Sequence, residues 1–127
     1  MDNILIIIPT YNEKNNIVRL INQLLELKVN LLIVDDNSPD NTYFEVEKYF
    51  GSNNKVNILK RATKQGLGSA YRDGFKWGLN NNYEYFVEMD ADFSHQVEDL
   101  KVLLTNKTEK NIVIGSRYIN RGKVVGW

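Results

Sequence analysis

The sequence has no cysteine, a single histidine and no long apolar run. The absence of cysteine excludes structural disulfides and thiolate metal sites. No stretch approaches the roughly 18 apolar residues of a membrane-spanning helix, and the apolar run at residues 4–8 is too short for the core of a signal peptide. We therefore expect a cytoplasmic protein; peripheral contact with the cytosolic face of a membrane stays open.

An excess of charge of one sign is also missing. The 16 lysines and arginines balance the 16 aspartates and glutamates, so the formal net charge is zero. Nucleic-acid-binding domains usually carry a basic excess, and we expect no nucleic-acid partner here. The 127 residues are enough for one hydrophobic core. We therefore predict a single domain over residues 1–127.

Strand-like and helix-like patterns alternate along the chain. Five short apolar runs predict buried strands, at residues 4–8, 31–34, 56–59, 85–89 and 112–114. Apolar stripes with helical spacing follow the first four runs and predict four helices. Ser38 and Pro39 resemble an N-cap and a first-turn proline, so the second helix is predicted to begin there. Repeated β-then-α units predict a three-layer α/β/α fold with a mostly parallel sheet.

The third predicted helix opens at Gly66 and Gly68 and carries several small residues on its inner face. That predicted face consists of Leu67, Ala70, Tyr71, Gly74, Phe75 and Gly78. Its small residues would let the helix lie close to the sheet.

Ligands of open α/β folds bind beyond the carboxyl ends of the strands. Polar segments follow four of the predicted strands, at residues 10–13, 35–38, 90–92 and 116–117. Because these ends share one edge of the sheet, we predict the functional site there.

One of these strand ends carries two carboxylates, Asp90 and Asp92, separated by Ala91. Residues two apart in an extended chain point to the same side, so the two carboxylates can hold a hard divalent cation such as Mg²⁺ or Mn²⁺. The alternative is that Asp90 caps a turn and Asp92 caps the next helix. A second pair, Asp35 and Asp36, ends another strand. Adjacent residues face opposite ways, so one is expected to reach the ligand and the other to hold the loop.

Five segments together resemble the family 2 glycosyltransferases of the GT-A fold, which have a Rossmann-like nucleotide-diphospho-sugar transferase domain. They are, in order, IIIPTYNEKNNI, IVDDNSPDNT, KQGLGSAYRDGF, MDADFSH and VIGSRY. Within that family the segments are most similar to the polyprenol-phosphate (dolichol-phosphate) mannosyltransferases, over residues 6–127. Related catalytic domains continue past GSRY. We therefore expect a domain that is incomplete at its C-terminus, that holds mainly the donor half of the site, and that self-associates through an exposed edge.

The resemblance implies a role for each matching residue. Tyr11 would pack on the nucleotide base, Asp36 would hydrogen-bond the base or ribose, and Asp92 would be the main metal ligand. Asp90 would contact the metal or the ribose, and Arg117 would contact the nucleotide-sugar side. The implied nucleotide-binding set is Pro9, Tyr11, Glu13, Val34, Asp36, Asp90, Ala91, Asp92 and Arg117. Within this set, Asp90, Asp92 and Arg117 form the implied catalytic group.

The resemblance also implies a reaction: transfer of mannose from GDP-mannose to a polyprenyl (dolichyl) phosphate, with inversion and with assistance from Mg²⁺ or Mn²⁺. The metal would bridge the donor's diphosphate. A phosphate monoester has a second pKa near about 6 and is already ionised at neutral pH, so such an acceptor requires no strong carboxylate base. Two alternatives stay open. One is a UDP-glucose-dependent transferase acting on polyprenyl phosphate or a glycan, and the other is a non-catalytic nucleotide-sugar-binding fragment. Whether these 127 residues are active alone is also open.

Overall fold

The computed structural model describes residues 4–63 and 65–91, and the backbone of residues 117–120 and 123–125. Strands and helices alternate through the first seven elements, and two strands complete the described part. The elements are β1 (Ile4–Thr10), α1 (Lys14–Leu25), β2 (Asn30–Asp35), α2 (Thr42–Phe50), β3 (Val56–Lys60), α3 (Leu67–Asn80), β4 (Tyr85–Glu88), β5 (Arg117–Asn120) and β6 (Lys123–Val125).

The strands form one sheet in the order β3-β2-β1-β4-β5-β6. The first four strands of that order are mutually parallel, whereas β5 runs antiparallel to β4 and β6 antiparallel to β5. The chain steps outward from β1 to β3 and then returns to the other side of β1 with β4. The strand order therefore reverses between β1 and β4, which makes the carboxyl ends of these two strands the topological switch point.

Helices cover both faces of the sheet, and β1 shows why its sequence is continuously apolar. Its even-numbered isoleucines pack in one core cluster with α1 and α2, and Leu5 and Ile7 pack in a second cluster with α3. A strand buried on both faces cannot alternate apolar with polar side chains. The predicted three-layer architecture with a mostly parallel sheet is confirmed.

Two glycines allow α3 to lie close against the sheet. A methyl group added at Gly74 would lie 2.6 Å from Ile7 Cγ2, and one added at Gly78 would lie 2.9 Å from Leu5 Cδ2. Both distances are shorter than van der Waals contact. The predicted close approach of this helix is therefore confirmed, and its cause is the missing side chains at these two positions.

Some local predictions were wrong. Helix α2 begins at Thr42 instead of Pro39, because Ser38 donates its hydroxyl to Asp35 Oδ1 (2.6 Å) and Asn41, with φ of 70°, precedes the helix. Leu67 is 54% exposed instead of lying on the inner face of α3. The antiparallel strands were not anticipated.

Other predictions lie outside the described residues, among them the strand at 112–114 and the helix after β4. None of the helices in the part of the chain described here combines the length and apolarity needed to cross a membrane.

Candidate functional site

A cleft of about 270 Å³ lies at the carboxyl ends of the central strands, at the switch point between β1 and β4. Polar strand-end residues and the start of α3 form its walls. The lining residues are Pro9, Thr10, Tyr11, Glu13, Asp36, Gly66, Leu67, Ala70, Asp90 and Ala91. The structure thus brings together most of the predicted nucleotide-binding positions, which come from three separate segments of the sequence.

The loop that carries Tyr11 is fixed by the loop after β2. Asn12 adopts a left-handed conformation with φ of 58°, and its backbone N–H donates to Ser38 Oγ at 3.0 Å. The backbone N–H of Asp40 donates in return to Asn12 Oδ1 at 3.3 Å. Tyr11 itself is 37% exposed and lines the cleft, on a loop that is anchored at the next residue.

The backbone N–H groups at the start of α1 donate to side chains of the β2–α2 loop and of the first residue of α2. The backbone N–H of Glu13 donates to Thr42 Oγ1 (3.0 Å), and that of Lys14 donates to Asp40 Oδ2 (3.1 Å). Burial alone would raise the pKa of Asp40. Hydrogen bonds from Thr42 and from the Lys14 backbone, with the charge of Lys14, outweigh burial and lower the pKa of Asp40 below its ordinary value. Asp40 is therefore an ionised cap at a helix N-terminus.

The two carboxylates that end β2 serve different purposes. Asp35 is fully buried and accepts hydrogen bonds from Thr10 Oγ1 (2.7 Å), Ser38 Oγ (2.6 Å) and the Ser38 backbone N–H (3.0 Å). Asp36 instead lines the cleft with 6% of its surface exposed. Asp35 thus holds the loop while Asp36 faces the cleft, as adjacent residues on opposite sides of a strand should.

Arg61, which follows β3, was not predicted as a site residue. It is 5% exposed, and its Nε donates to Asp36 Oδ1 at 2.5 Å while its Nη1 donates to Asp73 Oδ2 at 2.8 Å. Burial alone would lower the pKa of Arg61, but the hydrogen bonds to these two carboxylates raise it above its ordinary value. Asp36 was predicted because ligands of open α/β folds bind beyond the carboxyl ends of the strands. Arg61 directly follows β3, so the same rule also predicts it as a site residue.

Asp90 lies two residues beyond the end of β4, and its Oδ1 accepts a hydrogen bond from the Tyr71 hydroxyl at 2.8 Å. A carboxylate has about four lone-pair sites, so this bond leaves Asp90 able to bind a cation as well. Mg²⁺ typically takes one or two protein carboxylates and fills its remaining positions with water and phosphate oxygens. The Asp90 carboxylate can therefore serve as one of the ligands of a divalent ion. Within the ranges 4–63 and 65–91 no group of three or more acidic, histidine or cysteine side chains could hold a metal ion.

Three predicted positions are not placed in the cleft. Val34 is fully buried in the core cluster against α3 and does not line the cleft. Asp92 lies outside the described residues, so its predicted role as main metal ligand stays a prediction. The backbone of Arg117 begins β5 opposite Glu88, and the strand and Gly-Ser turn predicted before it lie outside the described residues. The role predicted for its side chain stays a prediction.

The fold and the cleft together define the class of doubly wound α/β domains that bind ligands at a switch point. A sequence profile narrows that class. The profile described as glycosyl transferase family 2 matches residues 5–127, and the chain belongs to this family. The family resemblance seen in the sequence is thereby confirmed.

Curated relatives are similar over nearly the whole chain. The undecaprenyl-phosphate mannosyltransferase of Micrococcus luteus is 44% identical over 126 residues, which are 98% of this chain and 52% of that protein. The polyprenol monophosphomannose synthase of Mycolicibacterium smegmatis is 42% identical over 127 residues, covering 97% of this chain and 48% of that protein. The chain therefore spans about half the length of these relatives. Their names agree with the polyprenol-phosphate branch that the sequence segments indicated.

A solved structure supports the fold. The mannosyltransferase PcManGT of Pyrobaculum calidifontis, in complex with GDP-Man and Mn²⁺, matches with a TM-score of 0.64 and 21% sequence identity. The match covers 85% of this chain and 33% of that one. At this level of identity the likeness establishes a shared fold.

Proposed function

We propose that this chain binds a nucleotide-sugar donor, GDP-mannose, in the cleft and forms the donor half of an enzyme that transfers mannose to a polyprenyl phosphate. The observation that carries the proposal is the meeting of Tyr11, Asp36 and Asp90 at the switch point of a family 2 glycosyltransferase domain. The 44% identity to an undecaprenyl-phosphate mannosyltransferase supports the choice of sugar and acceptor.

The lining residues suit the parts of a nucleotide-sugar. The exposed ring of Tyr11 offers a stacking surface for the base, while the Asp36 carboxylate offers an acceptor for ring N–H groups or ribose hydroxyls. Asp90 and Asp92 would hold Mg²⁺ or Mn²⁺, and a solved structure that shares the fold contains GDP-Man and Mn²⁺. A divalent ion bound there would stabilise the negative charge that develops on the leaving diphosphate. Arg117 would add a bidentate donor set for phosphate oxygens.

The acceptor half of the reaction is inferred from its chemistry. A polyprenyl phosphate reaches the site already ionised, so in-line attack on the anomeric carbon with inversion requires no strong carboxylate base. Such an acceptor is anchored in a lipid bilayer, and we expect the protein to work in peripheral contact with the cytosolic face of a membrane. We also propose that the chain self-associates through an exposed edge, which sedimentation would measure.

The first experiment measures donor binding. Titration calorimetry with Mn²⁺ should show tighter binding of GDP than of UDP, and chelation of the metal should weaken GDP binding. Asp90→Asn should weaken binding in Mn²⁺, whereas the exposed Glu47→Gln on α2 should bind as the wild type does. Tighter binding of UDP would refute the choice of GDP-mannose.

The second experiment measures transfer of radiolabelled mannose from GDP-mannose to a short polyprenyl phosphate, with the product's anomeric configuration read by NMR. Transfer with inverted configuration is expected. A product of retained configuration would overturn the in-line mechanism. Intact binding of GDP and Mn²⁺ without any transfer would instead identify these 127 residues as a non-catalytic donor-binding module.

A further inference from the structure

Arg61 connects three elements that border the cleft. Its backbone N–H donates to the Asp35 carbonyl at the end of β2 (2.8 Å), and its guanidinium contacts Asp36. On the other side, Nη1 donates to Ser69 Oγ (2.9 Å) and to Asp73 Oδ2 (2.8 Å), both on α3. A single side chain thus joins the ends of β2 and β3 to the beginning of α3.

The contact with Asp36 uses two donors on one edge of the guanidinium. Nε donates to Oδ1 at 2.5 Å and Nη2 donates to Oδ2 at 3.3 Å. A pair of parallel donors fixes the plane of a carboxylate, and a lysine ammonium has no such pair. Because Asp36 is almost fully buried, its charge would be costly without this partner. The orientation of Asp36 at the cleft is therefore set by Arg61.

The same arrangement reaches the wall that α3 contributes. The backbone N–H of Gln65 donates to Asp36 Oδ2 at 3.3 Å, immediately before Gly66 and Leu67, which line the cleft. Ser69, held by Arg61, lies in the first turn of the helix. Among the described residues Arg61 is absent from the cleft lining, so any effect it has on a ligand there passes through these neighbours.

We propose that Arg61 is a positioning residue for nucleotide recognition: it orients the Asp36 carboxylate and fixes the first turn of α3 around the base and ribose. The proposal rests on the proposed function, because it presumes that the cleft binds a nucleotide. It assigns no contact between Arg61 and the ligand.

The test is a double-mutant cycle read by titration calorimetry with GDP and Mn²⁺. Arg61→Lys keeps the positive charge but loses the paired donors, and it should weaken GDP binding roughly tenfold, the equivalent of one charge-assisted hydrogen bond. Asp36→Asn should weaken binding at least as much. If Arg61 acts through Asp36, adding Arg61→Lys to Asp36→Asn should cause little further loss. The exposed Arg72→Lys on α3 is the matched control and should bind as the wild type does.

A milder variant covers the case in which Arg61→Lys does not fold. The Asp73 side chain is 40% exposed, so Asp73→Asn loosens the outer end of the arrangement and leaves Asp36 in place. It should weaken GDP binding about threefold, as expected for a partly exposed ion pair. In the transfer assay either variant should raise the donor KM with kcat changed by less than about twofold, since uniform binding is what has been lost.

The outcomes separate the two proposals. If the wild type binds neither GDP nor UDP, the proposed function and this inference both fall. If it binds GDP but the losses from Arg61→Lys and Asp36→Asn add fully, Arg61 does not act through Asp36 and only this inference is overturned. If Arg61→Lys binds GDP as the wild type does, the inference about Arg61 is also overturned. If Arg61→Lys does not fold, unchanged GDP binding in Asp73→Asn overturns it instead.

Discussion

Replacing Thr10 by valine tests how the buried carboxylate at the end of β2 is stabilised. Thr10 is 2% exposed, and its hydroxyl donates to Oδ1 of the fully buried Asp35 at 2.7 Å. Valine has nearly the same shape and keeps the branched β-carbon that suits a strand, so the change removes the donor and little else. From the described part of the chain, Asp35 then keeps two hydrogen bonds, both from Ser38.

The magnitude follows from burial and charge. A hydrogen bond to a charged group contributes about 1.5–3 kcal/mol, and a buried acceptor that loses its donor cannot recover it from water. We expect Thr10→Val to lower the free energy of unfolding by about 2 kcal/mol. With a urea m-value of about 2 kcal/mol per molar, the unfolding midpoint should fall by about 1 M.

The assay is urea unfolding followed by circular dichroism, with Thr10→Ser as the matched control. Serine keeps the donor and loses one buried methyl group, which costs about 0.8 kcal/mol. Thr10→Val should therefore be less stable than Thr10→Ser. If the order is reversed, or if Thr10→Val unfolds at the wild-type midpoint, the hydrogen bond to Asp35 does not stabilise the strand end and the reasoning fails.

Three other predictions concern different parts of the molecule. Gly78→Ala should destabilise the fold by about 2 kcal/mol in urea unfolding, because the new methyl overlaps Phe86 on β4 and Leu5 on β1. Gly68→Ala, whose methyl meets open space, should instead stabilise α3 by about 0.5 kcal/mol, and equal effects would contradict the packing. Asp40 has a lowered pKa, so its contribution to stability is complete above the pKa of the unfolded chain and is lost as pH falls through its folded pKa. The stability difference between wild type and Asp40→Asn, measured from pH 7 to pH 2, should therefore shrink on acidification, and a constant difference would count against an ionised cap. Tyr71→Phe removes the hydroxyl that orients Asp90. The factor by which Mn²⁺ tightens GDP binding should fall about tenfold in this variant, and it should not change if Asp90 is not a metal ligand.

Much of the architecture could be predicted from local pattern. The continuous apolar residues of β1 indicated a strand covered on both faces, and the spacing of Ile17, Leu20, Ile21 and Leu24 indicated the buried stripe of α1. The tendency of ligands to bind beyond strand ends then pointed to Tyr11 and Asp90, which both line the cleft. The predictions of β1 and α1 are confirmed because the spacing of apolar residues reflects which faces of an element are buried.

The local errors arose where a side chain had a competing partner. Ser38 and Pro39 have the residue types of a helix start, but the Ser38 hydroxyl binds Asp35, and helix α2 starts at Thr42. Leu67 has the apolar character of a core residue, yet it is exposed at the mouth of the cleft. Residue type expresses a preference, and the neighbours in space decide whether it is satisfied.

By itself the sequence determined the alternation of strands and helices, the edge of the sheet where the cleft lies, and the family. Short-range spacing or contiguous motifs carry each of these. The family resemblance already implied Asp36 as the aspartate on the ligand side. Only the tertiary structure decided that Arg61 and Asp73, 12 positions apart, join to hold Asp36 in place. Those contacts depend on how α3 crosses the sheet. Packing at Gly74 and Gly78 fixes how α3 crosses the sheet, and both glycines are far along the chain from the Asp36 carboxylate.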